Sequence, residues 1–386
     1  MTPPAQASSA FAHVGPNWFA SVMGTGIVAN AAVLLPPQVP GQRAFALGVW
    51  IVAVVLLGLL VAATAMHWAP HREAARGHAL NASMAPFYGA PPMAFLTVGA
   101  GALLVGRDVI GMHPAVIVDS ALWIAGTAGG LLAALIVPYL MFTRHDLKLE
   151  STSATWLMPI VPPMVSAATG AALIAHLPAG QARLTLLVAC YAMFGLSLLA
   201  SLVTITLVWA RLAYHREGPA RMVPTLWIVL GPLGQSISAA CLLGAAAPGV
   251  IQAPYASAMS AMGVLYGAPV FGFAMLWLGL AAAITIRTAR RHLPFSLTWW
   301  SFTFPVGTVV TGVSELALRT RAGLLAWVAV ALYALLVGAW LTAAYHTVRG
   351  TLSGSLLQPP EKPAAASAQH VSPPSVRNPL EPAHAR

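Results

Sequence analysis

The chain has 386 residues, of which 58% are hydrophobic and only 7% are charged. Soluble domains carry about 25% charged residues, so this composition excludes a soluble globular protein and predicts an integral membrane protein. The formal charge is +10, yet Lys and Arg are spread over short loops and form no block of five. That distribution argues against nucleic-acid binding. The two cysteines, Cys190 and Cys241, fall inside apolar runs and form neither a disulfide nor a metal pattern.

Ten apolar runs follow a short N-terminal tail of residues 1–14, and we expect each run to form a transmembrane helix. The predicted spans are 16–35, 43–68, 86–106, 114–142, 157–177, 184–212, 223–246, 259–288, 294–317 and 322–348. Together they form one predicted membrane domain, residues 15–350. Residues 351–386 are rich in Pro, Ala and Ser without apolar periodicity, which predicts a disordered C-terminal tail.

The distribution of Lys and Arg predicts how the spans are oriented. The loops after even-numbered spans, together with the C-terminal tail, carry fourteen of these residues, and the opposite side carries five. Because the richer side faces the cytoplasm, both tails are predicted to be cytoplasmic. We therefore expect a multi-pass protein of a bacterial-type inner (plasma) membrane.

The odd-numbered spans repeat along the chain. They begin near 16, 86, 157, 223 and 294, and four of them contain a proline, at Pro92, Pro163, Pro232 and Pro305. These prolines are separated by 71, 69 and 73 residues. The pattern predicts an all-α fold of five helical hairpins, with an inner ring of odd helices around a pore and an outer ring of even helices facing lipid. The alternative is that Pro and Gly are simply common in transmembrane helices, where they help helices pack.

The ninth span carries Pro305 near its middle, where proline removes a helical hydrogen bond and disfavours helical geometry for Phe304. Such a break is tolerated in a bilayer only where it faces protein or a water-filled cavity. At about 1.5 Å per residue, Phe304 lies near the bilayer midplane. An aromatic ring at that place predicts a plug in the pore.

Three motifs resemble one known family. They are Pro16-Asn-Trp-Phe-Ala-Ser-Val-Met-Gly-Thr-Gly26, Leu230-Gly-Pro-Leu-Gly-Gln235 and Trp299-Trp-Ser-Phe-Thr-Phe-Pro-Val-Gly307. They resemble the tellurite-resistance/dicarboxylate transporter family, which includes slow-type plant anion channels, malate permeases and sulfite efflux pumps. The resemblance covers residues 14–350. It implies ten helices as five hairpins, a pore through each protomer, a homotrimer, and a gating phenylalanine that matches Phe304.

Small and polar residues of the odd spans are the candidate pore lining, with helix packing as the competing interpretation. The predicted lining residues are Gly24, Thr25, Gly26, Pro92, Gly99, Pro163, Gly170, Pro232, Gly234, Gln235, Ser301, Pro305, Gly307, Thr308 and Gly312. Gln235 is the best polar candidate, because it lies in mid-span beside a predicted helix break. No Lys or Arg lies in the middle of a span, so an anion would be bound by helix ends and neutral donors.

Two acidic residues inside the spans, Asp119 and Glu315, are candidates for proton coupling. The competing interpretation is structural and is favoured. Glu315 lies four residues before Arg319, a spacing for a local ion pair, and Asp119 could pair with Arg107.

The sequence thus predicts transport of small anions such as sulfite, malate and other C4-dicarboxylates, or inorganic monovalent anions, through a channel or a proton-coupled carrier. A membrane-embedded enzyme is the alternative from another class, and it would need a cluster of ligands or acid/base groups. The only such cluster, at His67, His71, Glu73 and His78, is interrupted by Pro70. We therefore expect no enzyme activity, no metal and no cofactor, and as partners the lipid bilayer, small anions and no nucleic acid.

Overall fold

The computed structural model describes residues 15–68 and 77–357, and within these ranges all regular structure is helical. The predicted N-terminal tail and most of the predicted C-terminal tail lie outside the described residues. The ten main helices are α1 Pro16–Leu34, α2 Gln42–Trp68, α3 Ala85–Ile110, α4 Met112–Thr143, α5 Pro162–Ile174, α6 Gln181–His215, α7 Ala220–Gly249, α8 Tyr255–Ala289, α9 Leu297–Thr320 and α10 Gly323–Leu352. Nine of these are long and apolar enough to cross a membrane, and α5 is shorter. The predicted all-α integral membrane fold is confirmed.

Helix α5 is the main departure from the predicted boundaries. The sequence predicted a span at 157–177, but the helix covers only Pro162–Ile174, and a short 3-10 helix, Ala154–Leu157, precedes it. Pro159, Pro162 and Pro163 lack a backbone donor, so an α-helix cannot run through this stretch and starts at the last pair instead.

Odd and even helices differ in burial. In the four long odd helices, 83%, 61%, 94% and 83% of the most apolar window is buried, and in the five even helices 28%, 22%, 33%, 17% and 17%. Apolar side chains therefore remain exposed on the even helices, as expected for helices that face lipid. The two groups form an inner and an outer layer.

The contacts between helices follow a simple order. Each odd helix packs against the even helix that follows it, which gives five consecutive hairpins. Among the odd helices, α1 contacts α3, α3 contacts α5, α5 contacts α7, α7 contacts α9, and α9 contacts α1. This cyclic order supports the predicted inner ring.

The prolines of the odd helices lie at the start of α-helical segments. In α9, a 3-10 helix, Leu297–Phe302, precedes the α-helix Phe304–Thr320, and Pro305 is the second residue of that α-helix. Proline is tolerated there because the N–H groups of a first turn have no acceptor within the helix. The same change from 3-10 to α geometry occurs at Ala90 in α3 and at Leu230 in α7. Each of these prolines therefore lies in the first turn of an α-helical segment.

Candidate functional site

A cavity of about 140 Å³ lies among the C-terminal halves of the odd helices. All five odd helices contribute to its lining, and α4 contributes one residue, Asp119. The polar side chains of the lining are Asn30, Asp119, Thr169, Gln235, Ser238, Thr311 and Glu315. The cavity thus borders every odd helix of the cyclic contact order.

A larger groove, of about 470 Å³, has a different character. It lies beside α3 and α4 and is lined by apolar side chains such as Phe95, Leu132 and Leu140. Pro92, which the sequence assigned to the pore lining, borders this groove and is not in contact with the central cavity. Apart from Trp68 and Tyr88 the groove is lined by apolar residues, whereas seven polar side chains border the smaller central cavity, which is therefore the candidate site.

Neutral polar groups of the central cavity are held by hydrogen bonds to neighbouring helices. The Asn30 side-chain amide donates to the carbonyl of Thr97 at 3.0 Å, and the hydroxyls of Ser238 and Thr311 are 3.0 Å apart. Gln235, the best polar candidate of the sequence, is 5% exposed and borders the cavity. Such groups bind an anion weakly enough for it to leave again.

The two predicted acidic residues both line the cavity, but they differ in their partners. Arg319 donates to Glu315 at 3.0 Å, so the predicted ion pair between these two residues is confirmed. The suggested pair of Asp119 with Arg107 is wrong. Asp119 is only 1% exposed, and neither of its carboxylate oxygens has a hydrogen-bond partner within the described ranges. Arg107 is exposed at the end of α3, whereas Asp119 turns into the cavity.

The proposed gate, Phe304, is 3% exposed and belongs to the main hydrophobic core. It is the first residue of the α-helical segment of α9, seven residues before the cavity residue Thr311. At about 1.5 Å per residue, it lies about 10 Å from Thr311 along the helix, on the N-terminal side of the cavity.

The predicted glycines lie where helices approach one another, and each leaves space for a neighbouring group. An added Cβ would come closest to Thr303 at Gly24, Thr97 at Gly26, Asp119 at Gly99, Cys190 at Gly170, Val309 at Gly234, Ile27 at Gly307 and Gly234 at Gly312, always within 2.8 Å. These contacts support the packing interpretation, in which glycine lets helices come close.

The remaining predicted lining residues also form contacts between elements. Thr25 accepts a hydrogen bond from the indole of Trp340 at 3.1 Å, and the Thr308 hydroxyl lies 3.3 and 3.2 Å from the carbonyl oxygens of Leu230 and Gly231 on α7. Pro163, Pro232 and Ser301 are buried and lie outside the cavity lining.

The cavity also contains side chains that the sequence reasoning missed, namely Asn30, Thr169, Ser238 and Thr311. A signal was present, because each of them is a polar residue within an otherwise apolar run. Hydroxyl side chains carry little information by themselves, however, since they also bond to the backbone of their own helix.

The histidine cluster that would have favoured an enzyme is only partly described. The rings of His67 and His78 are stacked with centroids 5.5 Å apart, and His71 and Glu73 lie outside the described residues. Over the ranges that are described, no group of three or more His, Cys, Asp or Glu residues is arranged to hold a metal ion.

Comparison with known proteins identifies relatives over most of the chain. Residues 13–348 match the family described as "Voltage-dependent anion channel" (SLAC1). An uncharacterized transporter of Methanocaldococcus jannaschii is 26% identical over 345 residues, which is 89% of this chain and 95% of the relative. Sulfite efflux pumps of Arthroderma otae and Trichophyton rubrum are each 28% identical over 313 residues, which is 80% of this chain and 82% of theirs. The resemblance inferred from the motifs is thus confirmed, and the protein belongs to the voltage-dependent anion channel (SLAC1) family of membrane transport proteins.

Proposed function

We propose that the protein moves small anions across the membrane through the centre of its inner helix layer, and that sulfite is the first substrate to test. The observation that supports this function most directly is the polar cavity to which all five odd helices contribute. The name of the fungal relatives, sulfite efflux pump, supports the choice of sulfite. Malate and other C4-dicarboxylates, nitrate and chloride are the other anions to compare.

A path leads from the cavity toward the C-terminal ends of the odd helices. A second cavity of about 370 Å³ adjoins the first, and the two share Ala172 and Leu242. Arg183 borders this second cavity and is fixed there by hydrogen bonds to the carbonyls of Leu177 and Ala175, at 2.9 and 3.1 Å. A fixed cation at the mouth of a pore raises the local concentration of anions. By the charge distribution of the loops, this mouth is on the outer side of the membrane.

Phe304 closes the opposite end of the cavity in this proposal. The ring is buried at the start of an α-helical segment, and the anion path must cross the level at which it lies. Phe304→Ala removes the ring and is expected to increase anion flux in proteoliposomes, because the path opens at its narrowest point. The matched control is Phe302→Ala. Phe302 belongs to the same helix, but its ring packs edge-on against Trp227 with centroids 5.1 Å apart.

Two results would contradict the assignment of Phe304 as a gate. If Phe304→Ala and Phe302→Ala show the same flux as the unmodified protein, and both variants are folded, Phe304 is not a gate. An increase in both variants to the same extent would also oppose it, since general loosening of α9 would explain that result.

The substrate and the transport mode are tested by one uptake panel of sulfite, malate, chloride, nitrate and tellurite, with and without a pH gradient. Chloride currents that reverse at the Nernst potential would identify a channel. Uptake of malate or sulfite only in the presence of a proton gradient would identify the alternative function, a proton-coupled carrier, which the buried carboxyl group of Asp119 favours. A folded protein that moves none of these anions would contradict the proposal.

The proposal includes a homotrimer in the plasma membrane with both termini in the cytoplasm. The trimer rests on the family resemblance, and the orientation rests on the Lys and Arg distribution. Chemical cross-linking in membranes tests the first, and labelling of single cysteines introduced into loops tests the second. A monomer, or a loop after an even helix that is labelled from outside, would contradict the corresponding part.

A further inference from the structure

One carboxyl group from the outer helix layer reaches the central cavity. Asp119 belongs to α4, in which only 22% of the most apolar window is buried, yet the residue itself is 1% exposed. The rest of the cavity lining comes from the odd helices. An ionisable side chain at such a place is costly, and in membrane proteins it usually has a functional role.

Gly99 is the reason that this side chain reaches the cavity. A Cβ added at Gly99 would lie 2.7 Å from Asp119 Oδ1 and 3.1 Å from the Cβ of Leu122. The absence of a side chain on α3 therefore leaves the space that the carboxyl group occupies. The position of Asp119 depends on the packing of α3 against α4.

Within residues 15–68 and 77–357, no group donates a hydrogen bond to the Asp119 carboxyl group. Neither carboxylate oxygen of Asp119 has a hydrogen-bond partner in the described part of the chain. The side-chain oxygen of Asn30, another lining residue, also has no hydrogen-bond partner there. The Asn30 amide donates to Thr97, and Arg319 donates to Glu315. The Asn30 amide and the Arg319 guanidinium are thus already engaged, and a charged carboxylate buried without a donor is strongly unfavourable.

We propose that Asp119 is a proton-binding site of the cavity, and that an oxyanion occupies the cavity only when Asp119 carries a proton. This inference rests on the proposed anion transport. The protonated carboxyl group donates its O–H to an oxygen of the anion, whereas the ionised group repels an anion through a medium of low dielectric constant. The proton comes from the adjoining solution, binds one carboxylate oxygen and returns to solution on release, and no other bond changes.

The helices that pack against Asp119 contain few other titratable groups. The α-helical segments Ala90–Gly101 and Pro162–Ile174, which contact α4, have no ionisable side chain. The other ionisable groups of the surrounding elements are Glu315 with Arg319 across the cavity, Asp108 with Arg43, the exposed Arg107 and His113, Tyr88 and Tyr139 at the far ends of α3 and α4, and Arg221 and Cys241 of α7. None of these forms a hydrogen bond to Asp119.

The test compares Asp119→Asn with the unmodified protein in proteoliposomes whose membrane potential is clamped. The matched control is Asp108→Asn, because Asp108 is an exposed carboxylate outside the cavity that pairs with Arg43. Nitrate and sulfite serve as probes. Nitrate does not change its protonation between about pH 5 and pH 8, so any pH dependence of nitrate uptake belongs to the protein.

The unmodified protein should take up less nitrate as the pH on the cavity side rises, with a fall of up to about tenfold per pH unit once the protonated carboxyl group is the minor form. Asp119→Asn keeps a neutral donor and cannot ionise, so its uptake should stay within about twofold over the same range. Asp108→Asn should keep the profile of the unmodified protein. Infrared spectroscopy should show a band of a protonated carboxyl group that is lost in Asp119→Asn.

The proposal is overturned if Asp119→Asn, in folded form, keeps the pH profile of the unmodified protein, or if uptake requires Na⁺ instead of protons. Asp119→Ser provides a second neutral variant should the asparagine variant not fold. An unmodified protein that moves no anion would contradict the proposed function, and the infrared band would still decide whether Asp119 binds a proton. A transporting protein with an unchanged profile in the variants would contradict only the role of Asp119.

Discussion

The backbones of α7 and α9 come close together at Gly234, which allows a quantitative prediction. At Gly234 an added Cβ would lie 2.3 Å from the backbone nitrogen of Val309 and 2.4 Å from the carbonyl carbon of Thr308. Ordinary contacts begin at 3.4 Å, so Gly234→Ala must move the two helices apart by about 1 Å. Backbone atoms cannot rotate away as a flexible side chain can.

The loss of unfolding free energy expected for Gly234→Ala can be estimated from the atoms that would come into contact. Overpacking in a well-packed interior costs about 1–3 kcal/mol, and the rigid backbone contact places this case at the upper end. Alanine gains up to about 1 kcal/mol over glycine within a helix, which leaves a net loss of about 2 kcal/mol. The separation would also stretch the hydrogen bonds from Thr308 to the carbonyls of Leu230 and Gly231, now 3.3 and 3.2 Å.

Gly195→Ala is the matched control, because Gly195 lies in the interior of α6, does not precede a proline, and an added Cβ there would meet no atom within 4 Å. Equilibrium unfolding in mixed detergent micelles measures both variants. We expect Gly234→Ala to be less stable than the unmodified protein and Gly195→Ala to be equal to it or slightly more stable. Equal stability of the two variants would refute the reasoning, since it would show that α7 and α9 tolerate the separation.

Two further predictions concern side-chain contacts of α9. Trp300→Phe removes the hydrogen bond from the indole to the hydroxyl of Thr347 (3.0 Å) and should lower the free energy of unfolding by about 1 kcal/mol. Thr347→Val should lower the free energy of unfolding by a similar amount. If the double variant loses no more stability than either single variant, this hydrogen bond is the cause. Arg319→Gln leaves the carboxylate of Glu315, which is 8% exposed, without its partner and should cost about 3 kcal/mol. Adding Glu315→Gln to that variant should recover most of the loss, and an unfolding experiment that finds no recovery would contradict the ion-pair explanation.

The break in α9 shows how far sequence reasoning reaches. Pro305 correctly indicated an interruption near the middle of the span, because proline removes a donor whatever surrounds it. It did not indicate that the residues before it form a 3-10 helix, Leu297–Phe302, and that the α-helix begins at Phe304. That outcome depends on tertiary contacts, among them the fit of Trp300 and Thr303 into the space beside Gly24.

Asp119 shows where sequence reasoning fails. Proximity along the chain suggested Arg107 as its partner, but the direction of a side chain depends on which face of its helix meets a neighbour. Gly99, twenty residues earlier, has no side chain and so leaves room for the carboxyl group of Asp119. A residue on another helix thus decides whether Asp119 is a surface charge or part of the site, and no local pattern contains that information.

The glycines of the repeat lie where helices pack closely, and each is next to a residue that lines the cavity. Gly99, Gly170, Gly234 and Gly312 face neighbouring helices, and one residue next to each of them lines the cavity. The lining neighbours are Ala100, Thr169, Gln235 and Thr311. Successive residues of an α-helix point about 100° apart, so a glycine directed at the adjacent helix turns the residue beside it toward the axis of the ring. The glycines thus lie at contacts between helices, and their neighbours in sequence border the cavity. Because those neighbours are uncharged, the charge inside the cavity depends on its two carboxyl groups. Among the residues that the structure describes, Arg319 pairs with Glu315, and no cation pairs with Asp119.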